Sequence, residues 1–297
     1  MKLMLLGQCG QVGWELQRSL APLGEVVGLD RHSSPDCGDL RRIDELVQTV
    51  CQHRPDVVVN AAAYTAVDQA ESDIGVARQV NALAPAALAK ACQRIGALLV
   101  HYSTDYVFDG SGSTPRAEDA MTGPLNVYGQ TKLEGEQAIV QSGCRHLIFR
   151  TSWVYSSRGG NFAKTMLRLA KERSQLSVID DQFGAPTGAD LIADVTAQAI
   201  RSVARDDTAL GLYHLVASGE TTWYQYAKLV IESARRLKPD APWRIEELIP
   251  VGSAAFPSAA QRPLNSRLDN QRLQNTFGLV LPDWKSGVTR LLTEICE

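Results

Sequence analysis

The fold is decided near the start of the chain, by the run Leu3-Met4-Leu5-Leu6-Gly7-Gln8-Cys9-Gly10-Gln11-Val12-Gly13. Its first four residues are apolar and predict a buried strand, and helical spacing begins directly after the glycines. Glycine allows a tight turn and removes the Cβ that would block a pyrophosphate, and a helix N-terminus offers free N–H groups to phosphates. The alternative is that the glycines only permit close helix–strand packing. The run predicts a dinucleotide site that includes Gly7, Gly10, Gln11 and Val12.

Short apolar runs alternate with longer segments of helical spacing through the first half of the chain. The predicted strands are 3–6, 25–30, 56–61, 97–102 and 146–150, and the predicted helices are 12–20, 43–53, 76–94 and 131–141. Strands that are apolar throughout indicate burial on both faces, as in a parallel sheet. The pattern therefore predicts a Rossmann-like, doubly wound α/β fold, whose ligands bind beyond the carboxyl ends of the strands.

The second half is less regular. It contains predicted strands at 178–179 and 212–216, predicted helices at 187–201 and 222–237, and a loop rich in Ser, Ala and Pro at 252–266. We expect a dinucleotide-binding Rossmann domain of residues 1–150 plus about 187–216. Residues from about 151–186 plus 217–297 would form a smaller, C-terminal substrate-binding lobe, with a cleft between the two.

Composition excludes several other classes of protein. Hydrophobic residues make up 44% and charged residues 21% of the chain, and the net charge of −3 gives no reason to expect nucleic acid or an anionic membrane as a partner. No apolar run approaches the roughly 18–20 residues of a membrane span, and Gly7 interrupts the first apolar segment too early for a signal peptide. The six cysteines form no CxxC pair, which argues against zinc and disulfides and for the cytoplasm.

Further candidate cofactor residues follow the next strands. Asp30 closes the second predicted strand, roughly 20 residues past the glycines, where a carboxylate can bind ribose hydroxyls and favours NAD. Arg31 beside it could instead pair with the 2′-phosphate of NADP. The preference between NADH and NADPH therefore stays open. The alternative that Asp30 and Arg31 are only a solvated ion pair that binds no ligand also stays open. The other candidates are Asp39 and Leu40 near the adenine and Ala62, Ala63, Tyr64 and Thr65 after the third strand.

A tyrosine and a lysine follow the fourth predicted strand, which ends in Ser-Thr-Asp-Tyr at 103–106. Tyr128 and Lys132 are four residues apart, so they share one helix face. The ammonium is expected to lower the pKa of the phenol from about 10, and the phenol can donate a proton to a carbonyl oxygen as hydride arrives. Thr104 can hydrogen-bond the same oxygen. These three residues are the predicted catalytic set.

The same spacing occurs once more, at Tyr224 and Lys228. This second match lies in a predicted amphipathic helix late in the chain, and no hydroxyl-bearing strand end precedes it. We therefore predict a structural role for Tyr224 and Lys228.

Six segments resemble the extended short-chain dehydrogenase/reductases and, among them, the dTDP-4-dehydrorhamnose reductase family. They are GQCGQVGWEL (7–16), PDVVVNAAAYTAVD (55–68), STDYVFDG (103–110), NVYGQTK (126–132), RTSWVY (150–155) and DQFGAPT (181–187). The resemblance implies hydride transfer from NADPH or NADH to the 4-keto group of dTDP-4-dehydro-β-L-rhamnose, with the same three catalytic residues. It also implies that Asp105 and Trp153 touch the sugar. Arg262 could pair with the diphosphate. A core position for Trp153 and a surface position for Arg262 stay open.

Some members of this family bind Mg²⁺ at a contact between two subunits. The corresponding acidic residues here are Glu15, Asp190 and Glu294, and Asp190 is shorter than the glutamate expected at its position. The resemblance thus implies a homodimer with a possible metal site, although the reaction itself needs no metal.

Three other functions are considered. A nucleotide-sugar dehydratase is disfavoured, because those enzymes carry Thr-Asp-Glu where this chain has Tyr106. A nucleotide-sugar 4-epimerase, which holds NAD and returns the hydride, is not excluded by chemistry alone. A non-catalytic, NADP-binding regulatory subunit of methionine adenosyltransferase is disfavoured by the complete Thr-Tyr-Lys set.

Overall fold

The computed structural model describes residues 1–296. Its strands are β1 (Lys2–Leu6), β2 (Glu25–Leu29), β3 (Val57–Asn60), β4 (Leu98–Thr104), β5 (His146–Thr151), β6 (Val154–Tyr155), β7 (Gln175–Ile179), β8 (Phe183–Gly184), β9 (Thr187–Gly188), β10 (Gly211–His214), β11 (Thr221–Thr222) and β12 (Glu247–Val251). Its α-helices are α1 (Gln11–Leu20), α2 (Ile43–His53), α3 (Val67–Ala70), α4 (Ile74–Arg78), α5 (Ala84–Ile95), α6 (Val127–Ser142), α7 (Phe162–Glu172), α8 (Ala189–Val203), α9 (Trp223–Leu237), α10 (Gln271–Phe277) and α11 (Trp284–Cys296).

Six strands form one parallel sheet in the order β10-β5-β4-β3-β1-β2. The chain leaves β1 in one direction to form β2 and then continues with β3 on the other side of β1. The loops after β1 and β3 therefore diverge, and a crevice opens between them. The predicted doubly wound α/β fold is confirmed.

Each face of the sheet is covered by helices, because side chains alternate between the two faces along a strand. Leu3 and Leu5 belong to a core cluster that also contains residues of α1 and α8, whereas Met4 and Leu6 belong to a second cluster with residues of α2 and α5. All four of these β1 side chains are fully buried. Burial of such a side chain contributes about 1.5–3 kcal/mol, so the apolar run at 3–6 ties both layers together.

A third core cluster joins α7, α9 and α11 to the two-stranded sheet of β7 and β12. Residues from the predicted smaller lobe build most of this cluster, and β10 pairs with β5 of the large sheet. The boundaries proposed for the two lobes stay a prediction.

Two predicted helices differ from the observed ones in ways that shape the crevice. The segment predicted as one helix at 76–94 is divided into α4 and α5 by a π-helical turn, Gln79–Leu83. Asn81 in that turn accepts from the Tyr64 N–H at 2.9 Å and donates to the Tyr64 carbonyl at 3.1 Å, which fixes the strand-end loop. The helix predicted to begin at 131 begins at Val127, because Asn126 caps it by accepting from Gly129 N–H at 2.8 Å.

No helix within residues 1–296 combines the length and the apolar character that a bilayer crossing requires.

Candidate active site

A cleft of about 660 Å³ lies beyond the carboxyl ends of the central strands. Every residue predicted to bind the cofactor lines it, and these are Gly7, Gly10, Gln11, Val12, Asp30, Asp39, Leu40, Ala62, Ala63, Tyr64, Thr65, Tyr128 and Lys132. The residues predicted from the sequence therefore lie together on one continuous surface of the cleft.

The glycine loop forms a backbone cradle at the start of α1. Gly7 has φ +82°, and a Cβ there would lie 2.8 Å from the backbone nitrogen of Ala62. A Cβ at Gly13 would lie 2.0 Å from the Gly7 carbonyl oxygen, so the helix and the loop touch at backbone distance. Gly10 precedes α1 without a side-chain cap, which leaves helix N–H groups directed at the cleft. This cradle fits a pyrophosphate group.

The Asp30 carboxylate lines the cleft and is held by two hydrogen bonds. Its Oδ1 accepts from the His32 N–H at 2.7 Å and its Oδ2 from the Cys9 thiol at 3.1 Å. These hydrogen bonds, the first of them most strongly, lower the pKa of Asp30 below its usual value. Arg31 lines the cleft beside it, so the conflicting signals for NAD and NADP meet at one place.

Arg41 is a cleft residue that sequence reasoning missed. Its guanidinium forks onto the Asp39 carboxylate, with Nη2–Oδ2 at 2.7 Å and Nε–Oδ1 at 3.1 Å. That ion pair lowers the pKa of Asp39. The signal was present in the sequence, since Arg41 stands two residues after a predicted cofactor residue.

Tyr128 lines the cleft, and Thr104 lies beside it. Thr104 is the last residue of β4, and its hydroxyl hydrogen-bonds the phenol of Tyr128 and donates to the Asp105 Oδ1 at 3.0 Å. Burial nevertheless raises the pKa of Tyr128 to about 12. The prediction that Lys132 lowers this pKa is therefore wrong for the chain by itself.

The reason lies in the direction of the lysine. Lys132 Nζ donates to the Tyr102 carbonyl at 2.6 Å and lies 3.3 Å from His101 Nε2, so its hydrogen-bond partners lie on β4. Burial also lowers the pKa of Lys132 to about 8, against a smaller raising effect of Glu136.

Asp105 is buried next to Thr104. Burial raises the pKa of its carboxyl to about 6, although hydrogen bonds from Ser266 and Thr104 act in the opposite direction. Its Oδ2 is buried and has no hydrogen-bond partner among residues 1–296. An acceptor with an unmet hydrogen bond suits the predicted contact with a sugar hydroxyl.

Trp153 lies with its indole stacked on that of Trp223, at 3.7 Å between ring centroids and 15° between planes. Its backbone has φ +48°, and a Cβ added at Gly184 would lie 2.8 Å from the indole. Trp223 was not recognised from sequence, because only the fold brings α9 against the loop that follows β5. Trp153 therefore has a fixed aromatic support on one side, and its contact with a sugar stays a prediction.

Arg262 is connected to Tyr128 through Tyr106. It forms an ion pair with Asp68 at 2.6 Å and hydrogen-bonds Tyr106, whose ring meets that of Tyr128 edge-on at 5.6 Å. Asp68 also accepts from the Ala260 N–H at 3.2 Å. Asp68 and Tyr106 thus anchor the loop that carries Arg262, and its pairing with a diphosphate stays a prediction.

The predicted metal residues do not form a site within the described chain. Glu15 pairs with Arg18 at 3.4 Å, Asp190 pairs with Arg290 at 3.0 Å, and Glu294 is exposed on α11. Across residues 1–296, no three His, Cys, Asp or Glu side chains are grouped so that they could hold a metal ion.

The second Tyr–Lys match lies outside the cleft. Tyr224 packs against the third core cluster, and Lys228 is 4.0 Å from Glu232 one turn along α9.

A phosphate cradle that leads along one sheet edge to a buried phenol, hydroxyl and lysine is the arrangement of a nucleotide-dependent oxidoreductase. The fold and cleft define this chain as an NAD(P)-dependent enzyme of the extended short-chain dehydrogenase/reductase class.

Comparison with known proteins narrows the class. The family model of the RmlD substrate binding domain matches residues 1–296. The chain is 56% identical over 295 residues to dTDP-4-dehydrorhamnose reductase of Escherichia coli strain K12, covering 99% of this chain and 98% of that protein. The chain therefore belongs to the RmlD family, whose members include the dTDP-4-dehydrorhamnose reductases.

Solved structures agree. A dTDP-4-dehydrorhamnose reductase of Clostridium acetobutylicum superposes with a TM-score of 0.88 at 32% identity, covering 100% of both chains. One from Bacillus anthracis, crystallised in complex with NADP, has a TM-score of 0.87 at 33% identity and covers 99% of both chains.

Proposed function

We propose that this chain reduces the 4-keto group of dTDP-4-dehydro-β-L-rhamnose to give dTDP-β-L-rhamnose. The observation that carries the proposal is the position of Tyr128 and Lys132 on the wall of the cleft, with Thr104 beside the phenol, in a chain 56% identical to a reductase of that name. The cofactor, NADPH or NADH, supplies the hydride when bound.

Tyr128 is the proposed proton donor. With a pKa of about 12 its phenol stays protonated at neutral pH, so it can hydrogen-bond the keto oxygen and then give up its proton as negative charge develops there. Thr104 orients the same oxygen when its single hydroxyl hydrogen turns from Asp105 Oδ1 to that oxygen. Lys132, buried one helical turn from Tyr128, would hold the nicotinamide ribose.

The sugar would be held by Asp105 and Trp153. The unpartnered Oδ2 of Asp105 accepts a sugar hydroxyl, and the indole face of Trp153 lies against an apolar face of the ring. Arg262 pairs with the diphosphate. In this last contact Arg262 either breaks its ion pair with Asp68 or binds both groups at once. The second is possible because a guanidinium has five N–H donors.

The cofactor would extend from the glycine loop to Lys132, with its adenosine ribose at Asp30. A relative crystallised with NADP supports NADPH, whereas the Asp30 carboxylate favours NADH. We therefore propose that both cofactors are used. Initial rates with NADH and NADPH, measured side by side at equal concentration, determine the preference.

We also propose, as finer points, a cytoplasmic homodimer that holds Mg²⁺ through Glu15, Asp190 and Glu294. Support comes from the packing of α1 on α8, which puts Glu15 and Asp190 on neighbouring helices. Sedimentation equilibrium with Mg²⁺ and with EDTA tests both points, because a chain that is monomeric in each condition excludes them.

The reductase activity is tested by NADPH oxidation, followed at 340 nm with dTDP-4-dehydrorhamnose as substrate. Tyr128→Phe is expected to lower kcat by about 10²–10⁴-fold while NADPH still binds, because only the proton donor is lost. Tyr224→Phe is the matched control and should leave the rate unchanged. Absence of substrate-dependent oxidation, or an unaffected Tyr128→Phe variant, rejects the proposal. A 4-epimerase would instead be recovered with bound NAD and turn over without added reductant.

A further inference from the structure

A buried polar chain runs behind the catalytic lysine and is not used by the proposed reaction. Asn60 ends β3, His101 lies within β4 and Lys132 projects from α6, and all three side chains are at most 2% exposed. Asn60 Nδ2 lies 3.2 Å from His101 Nδ1, and His101 Nε2 lies 3.3 Å from Lys132 Nζ. Buried polar groups need hydrogen-bond partners, so the direction of each of these two bonds restricts the protonation states of His101 and Lys132.

The first bond has a defined direction. The Ala62 N–H donates to Asn60 Oδ1 at 3.2 Å, which orients the amide so that its Nδ2 faces the histidine. The amide nitrogen is a donor only, so His101 Nδ1 must accept. Burial lowers the pKa of His101 well below 6.5, and the ring is therefore neutral at pH 7 and above. A neutral ring whose Nδ1 accepts carries its single hydrogen on Nε2.

In the second bond, His101 therefore presents a donor to Lys132. The His101 Nε2–H points at Nζ, and Nζ also donates to the Tyr102 carbonyl at 2.6 Å. An ammonium has three hydrogens and no lone pair, whereas an amine has one lone pair that can accept. Bonds in these directions are therefore all satisfied only when Lys132 is an amine, the form that predominates above its pKa of about 8.

We propose that His101 is a positioning residue for Lys132 and that Asn60 selects the tautomer of His101. A proton on Lys132 then reverses the hydrogen bonds that join Asn60, His101 and Lys132. In the protonated state Nζ donates to His101 Nε2, and the single ring hydrogen lies on Nδ1. Asn60 Oδ1 must turn to accept from Nδ1, and it releases the Ala62 N–H. One proton is taken up from solvent, and the ring stays neutral in both states.

The reversal reaches the cofactor cleft, because Ala62 lines it. A ligand that accepts from the released Ala62 N–H stabilises the protonated state, so cofactor binding and the charge of Lys132 are coupled. This inference rests on the proposed function for the role of Lys132, but the hydrogen-bond directions stand without it.

Other groups also act on Lys132. Those facing it are His101 and Tyr102 from β4, Tyr128 and Glu136 from its own helix, and Arg150 from β5 through its ion pair with Glu136. Because Glu136 is neutralised by Arg150, the histidine is the group whose hydrogen position can follow the lysine.

The tautomer is measured by ¹⁵N NMR of histidine-labelled protein at pH 9.5, above the Lys132 pKa of about 8, with the His101 signals assigned from the His101→Gln variant. We expect the Nε2–H form in the unmodified chain. Asn60→Asp has nearly the same shape but offers only acceptors, so one oxygen keeps the Ala62 N–H and the other requires a hydrogen on Nδ1. This variant is expected to show the Nδ1–H form and to raise the pKa of Lys132 by about one unit or more. An Nδ1–H or doubly protonated ring in the unmodified chain, or an unchanged tautomer in the variant, overturns the proposal.

Activity gives a second readout. His101→Gln retains an N–H at the position of Nε2, whereas His101→Leu does not. We expect the leucine variant to lose about tenfold or more in kcat/KM for NADPH and to shift the basic limb of the pH profile, and the glutamine variant to recover most of both. Equal behaviour of the two variants contradicts the positioning role. If the expected tautomers are found but Tyr128→Phe remains active, the reductase proposal fails and the hydrogen-bond switch does not.

Discussion

Glu136 and Arg150 form a two-point ion pair between α6 and β5, with Nε–Oε1 at 2.9 Å and Nη2–Oε2 at 2.7 Å. Both side chains are at most 5% exposed, and the guanidinium also lies over the Phe108 ring. Glu136 is one turn beyond Lys132, so the pair fixes the catalytic helix against the sheet.

Removing one partner of this pair is expected to be costly. Glu136→Ala leaves the Arg150 charge buried and unpaired, which destabilises a protein by about 3–5 kcal/mol. Glu136→Gln should cost less, because one hydrogen bond is kept. The exposed Arg168–Glu172 pair is the control, and Glu172→Ala should cost no more than about 0.5 kcal/mol. Urea unfolding measures all three, and similar costs for Glu136→Ala and Glu172→Ala would contradict the structural argument.

Gly10→Ala tests the phosphate cradle. A Cβ at Gly10 would meet only the Gly7 carbonyl oxygen, at 3.4 Å, and otherwise projects toward the cleft. We expect the variant to fold with stability changed by less than about 1 kcal/mol and to bind NADPH at least about tenfold more weakly, since the Cβ occupies pyrophosphate space. Isothermal titration calorimetry measures the affinity.

Two further glycine variants separate folding from binding. Gly13→Ala puts a Cβ 2.0 Å from a backbone oxygen and should destabilise the fold itself. Gly75→Ala, in open space on α4, should leave NADPH affinity unchanged. If Gly75→Ala weakens NADPH binding as much as Gly10→Ala does, the loss of affinity in Gly10→Ala is not caused by a Cβ in the phosphate cradle.

The residues of the cleft were predictable because each follows a buried strand, and the carboxyl ends of parallel strands share one edge. The directions of their side chains were not. Lys132 was expected to act on Tyr128, yet its nitrogen bonds the Tyr102 carbonyl, since burial leaves that carbonyl in need of a donor. Spacing along a helix specifies the face on which a side chain lies and carries no information about its partners.

Contacts between residues that are far apart in the sequence could not be predicted from it either. Trp153 and Trp223 are 70 positions apart, and their stacking depends on how α9 packs against the loop that follows β5. The π-helical turn at Gln79–Leu83 follows from a side-chain clamp on Tyr64 that no helical periodicity contains.

Asp105 should make the fold less stable as pH rises. Its carboxyl has a pKa of about 6 in the folded chain, against about 3.9 when unfolded. Between these values the folded chain keeps a proton that the unfolded chain has released, so stability present below pH 4 is lost as pH rises through 6. Asp105→Asn removes this dependence.

The expected difference is measurable. Relative to the unmodified chain, Asp105→Asn should gain about 2–3 kcal/mol in unfolding free energy between pH 4 and pH 7.5. Its reductase rate should fall, because the amide cannot replace a carboxylate acceptor. Urea unfolding at the two pH values gives the result, and a difference that does not change with pH would show that the carboxyl is not titrating in this window.

Trp223 should influence sugar binding through Trp153. Trp223→Phe keeps an aromatic ring against Phe162 and Tyr226, but it shortens the stacked surface and removes the indole N–H bond to Gln182 Oε1 at 3.1 Å. Stacked pairs contribute about 0.5–1.5 kcal/mol beyond burial, so KM for the sugar nucleotide should rise about two- to tenfold. KM for NADPH should not move, because neither indole lines the cofactor cleft. Trp243→Phe, which removes an indole that is not part of this stack, is the control for general loss of an indole. A parallel rise in both KM values would mean that the substitution loosens the whole cleft rather than the support of Trp153.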